Sequence, residues 1–272
     1  MSILRFYENY IELLGALNGK SDRAYVYKEN YLKKIIKDGK VYKYISLEGA
    51  KDSVRDIVDT LKQKKIWFSF YKALNDNTEF QINYNAEKIS EKTGRSVENI
   101  KRLVNYLTEM YDVYSLTYEY QDYMWEDYAS DGNGICVEFN VTNYDYLYPV
   151  EYMEKVNIDF DKMIISAING EICALSIIPW VVKNPYNYSV NIASEREKEV
   201  RILYCPYDLG EVNGGRIEMN IKERLGYKGI AKPCTDFGLE FSKVIFGSKC
   251  SAELRCELER CFGAQGIMCE YL

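Results

Sequence analysis

The sequence predicts a single α+β domain with a mixed or antiparallel β-sheet, flanked by helices and carrying a helical insertion. Three observations support this. Short apolar runs with two-residue alternation recur at 41–45, 66–70, 113–120, 135–139, 148–153, 197–203 and 239–246. Amphipathic stripes with helical periodicity stand between several of them. Of the 272 residues, 47 % are hydrophobic, enough for one sizeable core. No internal repeat or low-complexity linker divides the chain. The expected organisation is an N-terminal helical segment over 1–40 and an α+β domain over 41–272, with the insertion at 84–111.

The elements follow in order. Phe6, Tyr10, Leu13, Leu14 and Leu17 share one face of a first helix, ended by Gly19. Lys40 to Ile45 alternates as a strand, and Ser46 is placed to cap the helix whose stripe is Leu47, Ala50, Val54, Ile57, Val58 and Leu61. Ile66–Phe70 reads as a buried strand and 74–79 as a loop. In the insertion, Ala86 and Ile89 precede Thr93-Gly94-Arg95-Ser96, and Val97, Ile100, Leu103, Val104 and Leu107 follow. That pattern predicts two helices meeting near Gly94, similar to a helix-turn-helix unit. Lys88, Lys92, Arg95, Lys101 and Arg102 give it a mild positive bias, which suits either a nucleic-acid contact or a plain helical hairpin. Met124–Ala129 reads as a short helix, 160–180 as one apolar helix, and 251–262 as a helix closed by Gly263 before a last strand at 267–271.

Composition removes whole classes of chemistry. There is no histidine, so a Ser-His-Asp or Cys-His catalytic pair and any imidazole-bound zinc are excluded. Acid–base work falls to Asp, Glu, Lys, Tyr or Cys. None of the eight cysteines forms a C-x-x-C pair, and Cys256 and Cys261 fall in a helical apolar pattern as small buried hydrophobes. The N-terminus lacks the layout of a signal peptide, and no apolar run reaches transmembrane length. A cytoplasmic protein with reduced thiols and no membrane partner is expected. A net charge of −6 argues against a protein that coats duplex nucleic acid.

The most informative stretch is Glu197-Lys198-Glu199-Val200-Arg201, followed by Ile202-Leu203. As a strand it sends Glu197, Glu199 and Arg201 to one face and Val200 and Ile202 to the other. Two carboxylates this close repel unless a cation, a shared proton or a ligand hydroxyl separates them. The same pattern also makes a solvated charge ladder.

Several landmarks, in order, resemble a bacterial family known as domain of unknown function 2971. They are Val41–Ser46, Ile66-Trp67-Phe68-Ser69 with Asn75-Asp76, Met124–Ala129 with Gly134–Phe139, Tyr148–Tyr152, Glu197-x-Glu199-x-Arg201, and Val244–Gly247. The likeness runs from about residue 41 to the C-terminus. The family's Pro-Phe after Asn-Asp is here Asn77-Thr78, and its His after Trp-x is here Asp127.

A looser resemblance is to ADP-ribosyltransferases, whose late strand often carries E-x-E. It implies a sheet split around an NAD cleft, and an enzyme of the toxin or phage-defence kind acting on an unspecified protein or nucleic-acid acceptor. Loss of nicotinamide leaves a ribosyl cation that a carboxylate can stabilise. By that resemblance the catalytic residues are Glu199, which stabilises the cation, and Glu197, which contacts the acceptor. Cofactor contacts fall to Lys43 or Tyr44 for the diphosphate or ribose, Asn75 for a hydrogen bond, and Trp125 and Tyr128 for walling the nicotinamide; Arg201 holds a carboxylate in place. The early-strand Arg or His common in such enzymes is missing. No metal is expected. The alternatives are a metal-dependent nuclease built on Asp76, Glu79, Glu138, Glu197 and Glu199, which the placement of Lys198 on the opposite strand face disfavours, and a non-enzymatic nucleic-acid or protein binding module.

Overall fold

The computed structural model describes residues 6–15, 22–70, 73, 82–152, 158–171, 174–183, 197–205 and 226–272. Its architecture is α+β, around one mixed and mostly antiparallel sheet. Helices α1 (Phe6–Gly15) and α2 (Asp22–Ile35) lead into β1 (Lys40–Ser46), α3 (Lys51–Lys62) and β2 (Lys65–Phe70). The insertion is a pair of helices, α4 (Ala86–Thr93) and α5 (Val97–Met110), joined at Gly94 with φ 69°. Asn85 and Ser96 cap them by accepting from the amides of Lys88 and Asn99. Then come β3 (Asp112–Thr117), α6 (Met124–Asp127), β4 (Gly134–Val141), β5 (Leu147–Pro149) and β6 (Glu151–Tyr152). The chain continues with α7 (Phe160–Ile168), α8 (Ile178–Val181), β7 (Val182–Lys183) and β8 (Glu199–Tyr204). It ends with β9 (Gly229–Pro233), β10 (Leu239–Phe246), α9 (Ala252–Ala264) and β11 (Met268–Tyr271).

The sheet is nearly divided. One half is β11-β10-β4-β1; the other is β9-β2-β3, with β8 on the far edge of β3 and β5 on β8. β3 pairs with β8 along its whole length, from Asp112↔Tyr204 to Thr117↔Glu199. Its opposite edge is shared: β2 takes Val113 and Asp112, and β1 joins at the single pair Tyr42↔Thr117. Six residues are too few to pair fully with two strands, so β1 and β2 diverge.

Alternation sorts the sheet's side chains into two layers. Val41, Tyr114, Leu116, Val137, Phe139, Val200, Ile202 and Val244 face a main core that α3 and α9 cover with Val58, Leu61, Leu258 and Phe262. On the other face, α1, α4, α5, α7 and α8 enclose a second core around Tyr7, Ile89, Val104, Val113, Ile164 and Trp180. Beside it Tyr44, Cys136 and Ile245 meet Met124 and Trp125 in a third cluster. Each fully buried large apolar side chain contributes roughly 1.5–3 kcal/mol.

Several boundaries differ from the sequence expectation. Ser46 ends β1; its Oγ lies 2.5 Å from Ser130 Oγ and accepts from the Glu48 amide, and α3 starts only at Lys51. The apolar stretch 160–180 is not one helix: α7 stops at Ile168, and Gly170 takes φ 76°. Gly263 lies inside α9, and Gly266, with φ 74°, makes the turn after it. Cys256 is exposed and Cys261 half-buried, so neither is a core residue. The edge strand β9 had no alternation to announce it.

The close pairing of β1 and β4 predicts a contrast between two glycines. A Cβ at Gly134 would fall 2.3 Å from the Ile45 carbonyl oxygen, whereas one at Gly263 meets nothing within 4 Å. Gly134→Ala should destabilise the protein by about 2–4 kcal/mol through forced strand separation. Gly263→Ala should stabilise it by about 0.5–1 kcal/mol through helix propensity. Urea unfolding of both variants measures the difference.

Candidate functional site

The charged stretch begins with a kink. Lys198 has φ 49°, left-handed for a residue that is not glycine, at a cost on the order of 1–2 kcal/mol. Its carbonyl accepts from the Tyr118 amide at 2.9 Å, and regular pairing begins only at Glu199. Glu197 therefore precedes the strand, and alternation does not place it. From Glu199 onward the alternation holds. Val200 and Ile202 enter the main core, and Glu199 and Arg201 share the opposite face.

Both charged side chains are out of water, at 6 % and 2 % exposure. Arg201 Nε donates to Glu199 Oε1 at 2.6 Å. Tyr152 on β6 donates its hydroxyl to Glu199 Oε2 at 3.0 Å. Arg201 Nη1 donates to the Trp180 carbonyl at the end of α8, at 2.7 Å. The backbone closes the same corner, since the Val150 amide donates to the Glu199 carbonyl at 2.9 Å. Desolvating two ions costs several kcal/mol each, so such a pair persists only where added hydrogen bonds satisfy both. Here β6 supplies one and α8 another.

Three more groups surround the pair. Tyr128, just after α6 and 43 % exposed, donates to Glu197 Oε1 at 2.5 Å. Burial first, then the Glu197 and Glu199 charges, push the Tyr128 phenol well above its ordinary range. The same influences, burial leading, raise Tyr152. Lys43 reaches across the division of the sheet: its Nζ donates to the Ser115 carbonyl at 2.9 Å and lies 5.1 Å from the Tyr114 ring centre. Burial pushes its amine down to about 8, Glu199 draws it up, and Arg201 pushes it down. Ser115 is the register partner of Arg201, which brings the three charges together.

Five expected site residues, Glu197, Glu199, Arg201, Lys43 and Tyr128, thus form one cluster. Two do not join it. The Tyr44 hydroxyl donates to the Gln121 carbonyl at 2.9 Å and accepts from its amide at 3.0 Å. Trp125 lies edge-on to Tyr44 at 5.3 Å and donates its Nε1 to the Tyr120 hydroxyl at 3.0 Å. Both are interior residues of the third cluster, because α6 lays its apolar side on the sheet. Asn75, Asp76 and Glu79 lie outside the described residues. Glu138 is engaged elsewhere, by Lys40 at 2.8 Å and Ser242 at 2.9 Å. Among the described residues no group of three or more His, Cys, Asp or Glu is placed to hold a metal ion.

Sequence reasoning overlooked Tyr152 and the Trp180 carbonyl. Nothing separates Tyr152 from the other tyrosines among 26, and a carbonyl leaves no trace in a sequence. In the insertion, Lys101 and Arg102 are exposed, but Arg102 pairs with Glu98 at 3.1 Å and Lys88 with Asp161 at 3.0 Å. An open groove of ≈ 720 Å³, lined by Arg55, Glu253, Cys256, Glu257 and Arg260, lies at α3 and α9, over the face opposite Glu199. No helix among the described residues is long and apolar enough to cross a membrane. No family model, curated protein or solved structure matches the chain.

The buried pair predicts non-additive mutations. Arg201→Met leaves the Glu199 carboxylate in place without its cation and should cost about 3–5 kcal/mol. Combining it with Glu199→Gln should recover part of that loss, and a double-mutant cycle in urea reads the coupling. Lys43 predicts a pH dependence. Its folded value near 8 lies below its ordinary 10.5, so between those values the unfolded chain binds more protons. Its contribution to stability therefore rises with pH across that window. The stability difference between wild type and Lys43→Met should drift in favour of wild type from pH 8 to 10.

Proposed function

We propose that the chain is an ADP-ribosyltransferase-like enzyme that consumes NAD, with Glu199 as the carboxylate that stabilises the reacting ribosyl group. The observation that carries this reading is the state of Glu199. It is neither solvated nor part of an open ladder; it is 6 % exposed and oriented by Arg201 and Tyr152. It sits at the end of β8, opposite Thr117, the one residue through which β3 meets β1. A carboxylate fixed before reaction, in a site with little water, opposes developing positive charge without reorganising. The ordered likeness to domain of unknown function 2971 is compatible with this reading and supplies no activity of its own.

On this reading the Glu199 cluster serves the ribose end of such a substrate. NAD supplies a ribosyl group whose bond to nicotinamide breaks with positive charge developing on the sugar. Glu199 accepts a hydrogen bond from a sugar hydroxyl and supplies the opposing charge. Arg201 and Tyr152 each bond one of its oxygens and so fix the orientation of the carboxylate. On this reading Glu197, half-buried and bonded to Tyr128, orients or deprotonates an acceptor. The exposed Tyr128 ring offers a stacking surface. Lys43 adds positive charge beside Glu199. Tyr44 and Trp125, enclosed in their own cluster, have no part in it.

The nuclease reading is the weaker one, because Glu138 is bound to Lys40 and Ser242 and Lys198 stands at a kink rather than on the strand. The test is nicotinamide release from NAD by the purified protein. Glu199→Gln should lower turnover on the order of 10²–10³-fold, as removal of one transition-state stabiliser does. Circular dichroism shows whether the fold is retained. Glu197→Gln should spare hydrolysis of NAD and impair transfer to an acceptor. A wild-type protein that neither binds NAD nor releases nicotinamide would end the reading and leave a binding module.

A further inference from the structure

Lys28 is a lysine that the charged strand does not use, yet it is 1 % exposed. It projects from the middle of α2, whose other lysines Lys33 and Lys34 lie in the last turn. Its ammonium is met by three backbone carbonyls. Nζ donates to Leu147 O at 3.1 Å, to Asp145 O, and more weakly to Tyr144 O at 3.4 Å. The Tyr148 ring centre lies 4.1 Å from the same nitrogen, and the Tyr25 ring centre 6.0 Å. Three carbonyl oxygens and an aromatic face are what a desolvated monovalent cation needs, and an ammonium has three protons for three acceptors.

The position of this cage gives it consequence. Leu147 and Tyr148 belong to β5, and Tyr148 is the register partner of Arg201 on β8. One residue beyond β5, the Val150 amide bonds to the Glu199 carbonyl, and two residues further Tyr152 bonds to the Glu199 carboxylate. α1 grips the same ribbon: the Tyr7 hydroxyl donates to Pro149 O at 2.6 Å, and the Tyr7 amide donates to Glu151 Oε2 at 3.1 Å. β5 has three residues and, among the described residues, pairs only with β8, so its own ladder is a weak hold.

We propose that Lys28 is a positioning residue: its ammonium fills a built cation site formed by the Tyr144, Asp145 and Leu147 carbonyls and the Tyr148 ring, and thereby clamps β5 against the strand that carries Glu199 and Arg201. The N-terminal helices are then part of the apparatus that sets the carboxylate's position. Their effect on catalysis rests on the transferase reading; the clamp itself does not.

The test is residue-resolved hydrogen exchange on the full chain, wild type against Lys28→Met, which keeps the stem's length and removes the charge. The Val150 amide should exchange on the order of 10- to 100-fold faster, since three carbonyls lose a charged donor. Amides of the β4–β10 ladder, such as Val137 and Val244, should keep their protection. An unchanged Val150 would overturn the proposal, and so would equal acceleration in both halves of the sheet, which is what a general loss of stability gives. Should Lys28→Met fail to fold, Lys28→Ala refolded in ammonium chloride and in sodium chloride decides. Recovery in ammonium alone supports a cation site, and equal failure in both salts overturns it. Nicotinamide release is read in parallel: a wild type without turnover removes the transferase reading and leaves the exchange result standing.

Discussion

Taking the Glu199 carboxylate and the Arg201 guanidinium out of water is the demand around which this half of the protein is arranged. Two ions on one strand, two residues apart, cannot be buried by apolar packing alone. Each needs donors or acceptors brought from elsewhere, and each arrives from a different element. Tyr152 comes from β6 and the Trp180 carbonyl from α8, while Lys43, from β1, binds the carbonyl of Ser115, the register partner of Arg201. Elements far apart in sequence are thereby tied to one point on β8. The second core packs around them, and its α1, α4, α5, α7 and α8 all lie on the face to which Glu199 and Arg201 turn.

That arrangement depends on the short third strand. β3 gives one edge to β8 completely and divides the other between β1 and β2. The division opens the sheet beside Ser115, and the Ser115 carbonyl that would otherwise meet a neighbouring strand accepts from Lys43 instead. A lysine is thus substituted for a strand partner. Its amine lies 5.1 Å from the centre of the Tyr114 ring, so the charge is met by an aromatic face as well as by the carbonyl. A neutral side chain could fill the space but could not answer the charge of Glu199.

How much of this was legible in the sequence varies with the physical signal. The fold class was, because period-two and period-3.6 patterns report directly on which face is buried. The Glu199–Arg201 face was readable for the same reason, as Val200 and Ile202 between them must go to a core. The insertion's two helices were readable from their stripes and from the turn at Gly94. Glu197 reads as part of the strand because nothing about a lysine announces φ 49°; a glycine or asparagine at 198 would give warning. Trp125 reads as a wall for nicotinamide and Tyr44 as a diphosphate or ribose contact because an aromatic residue suits a cleft and a core equally, and only the placement of α6 decides between them. The break after α7 was lost beneath a long apolar composition, although Gly170 marks it. β9 was silent because five residues ending in proline carry too little alternation to read.

Lys28 shows why such a site escapes pattern reading altogether. On α2 it stands among Tyr25, Tyr27, Glu29 and Lys33, in a helix rich in charge, where a lysine ordinarily points to water. Its partners are main-chain carbonyls more than a hundred residues away, and carbonyls are identical at every position. Only the fold can show that three of them converge. Burying an ammonium there is costly, and burial pushes its amine down to about 8, yet a methionine, which matches the stem and lacks the terminal nitrogen, would face three carbonyls with an apolar end. The charge is retained because the Leu147 carbonyl is buried and takes its hydrogen bond from this ammonium. The lysine is best understood from the side of β5: a three-residue strand with too few ladder bonds of its own is held by a cation anchored in a helix, and the strand it holds is the one that braces Arg201.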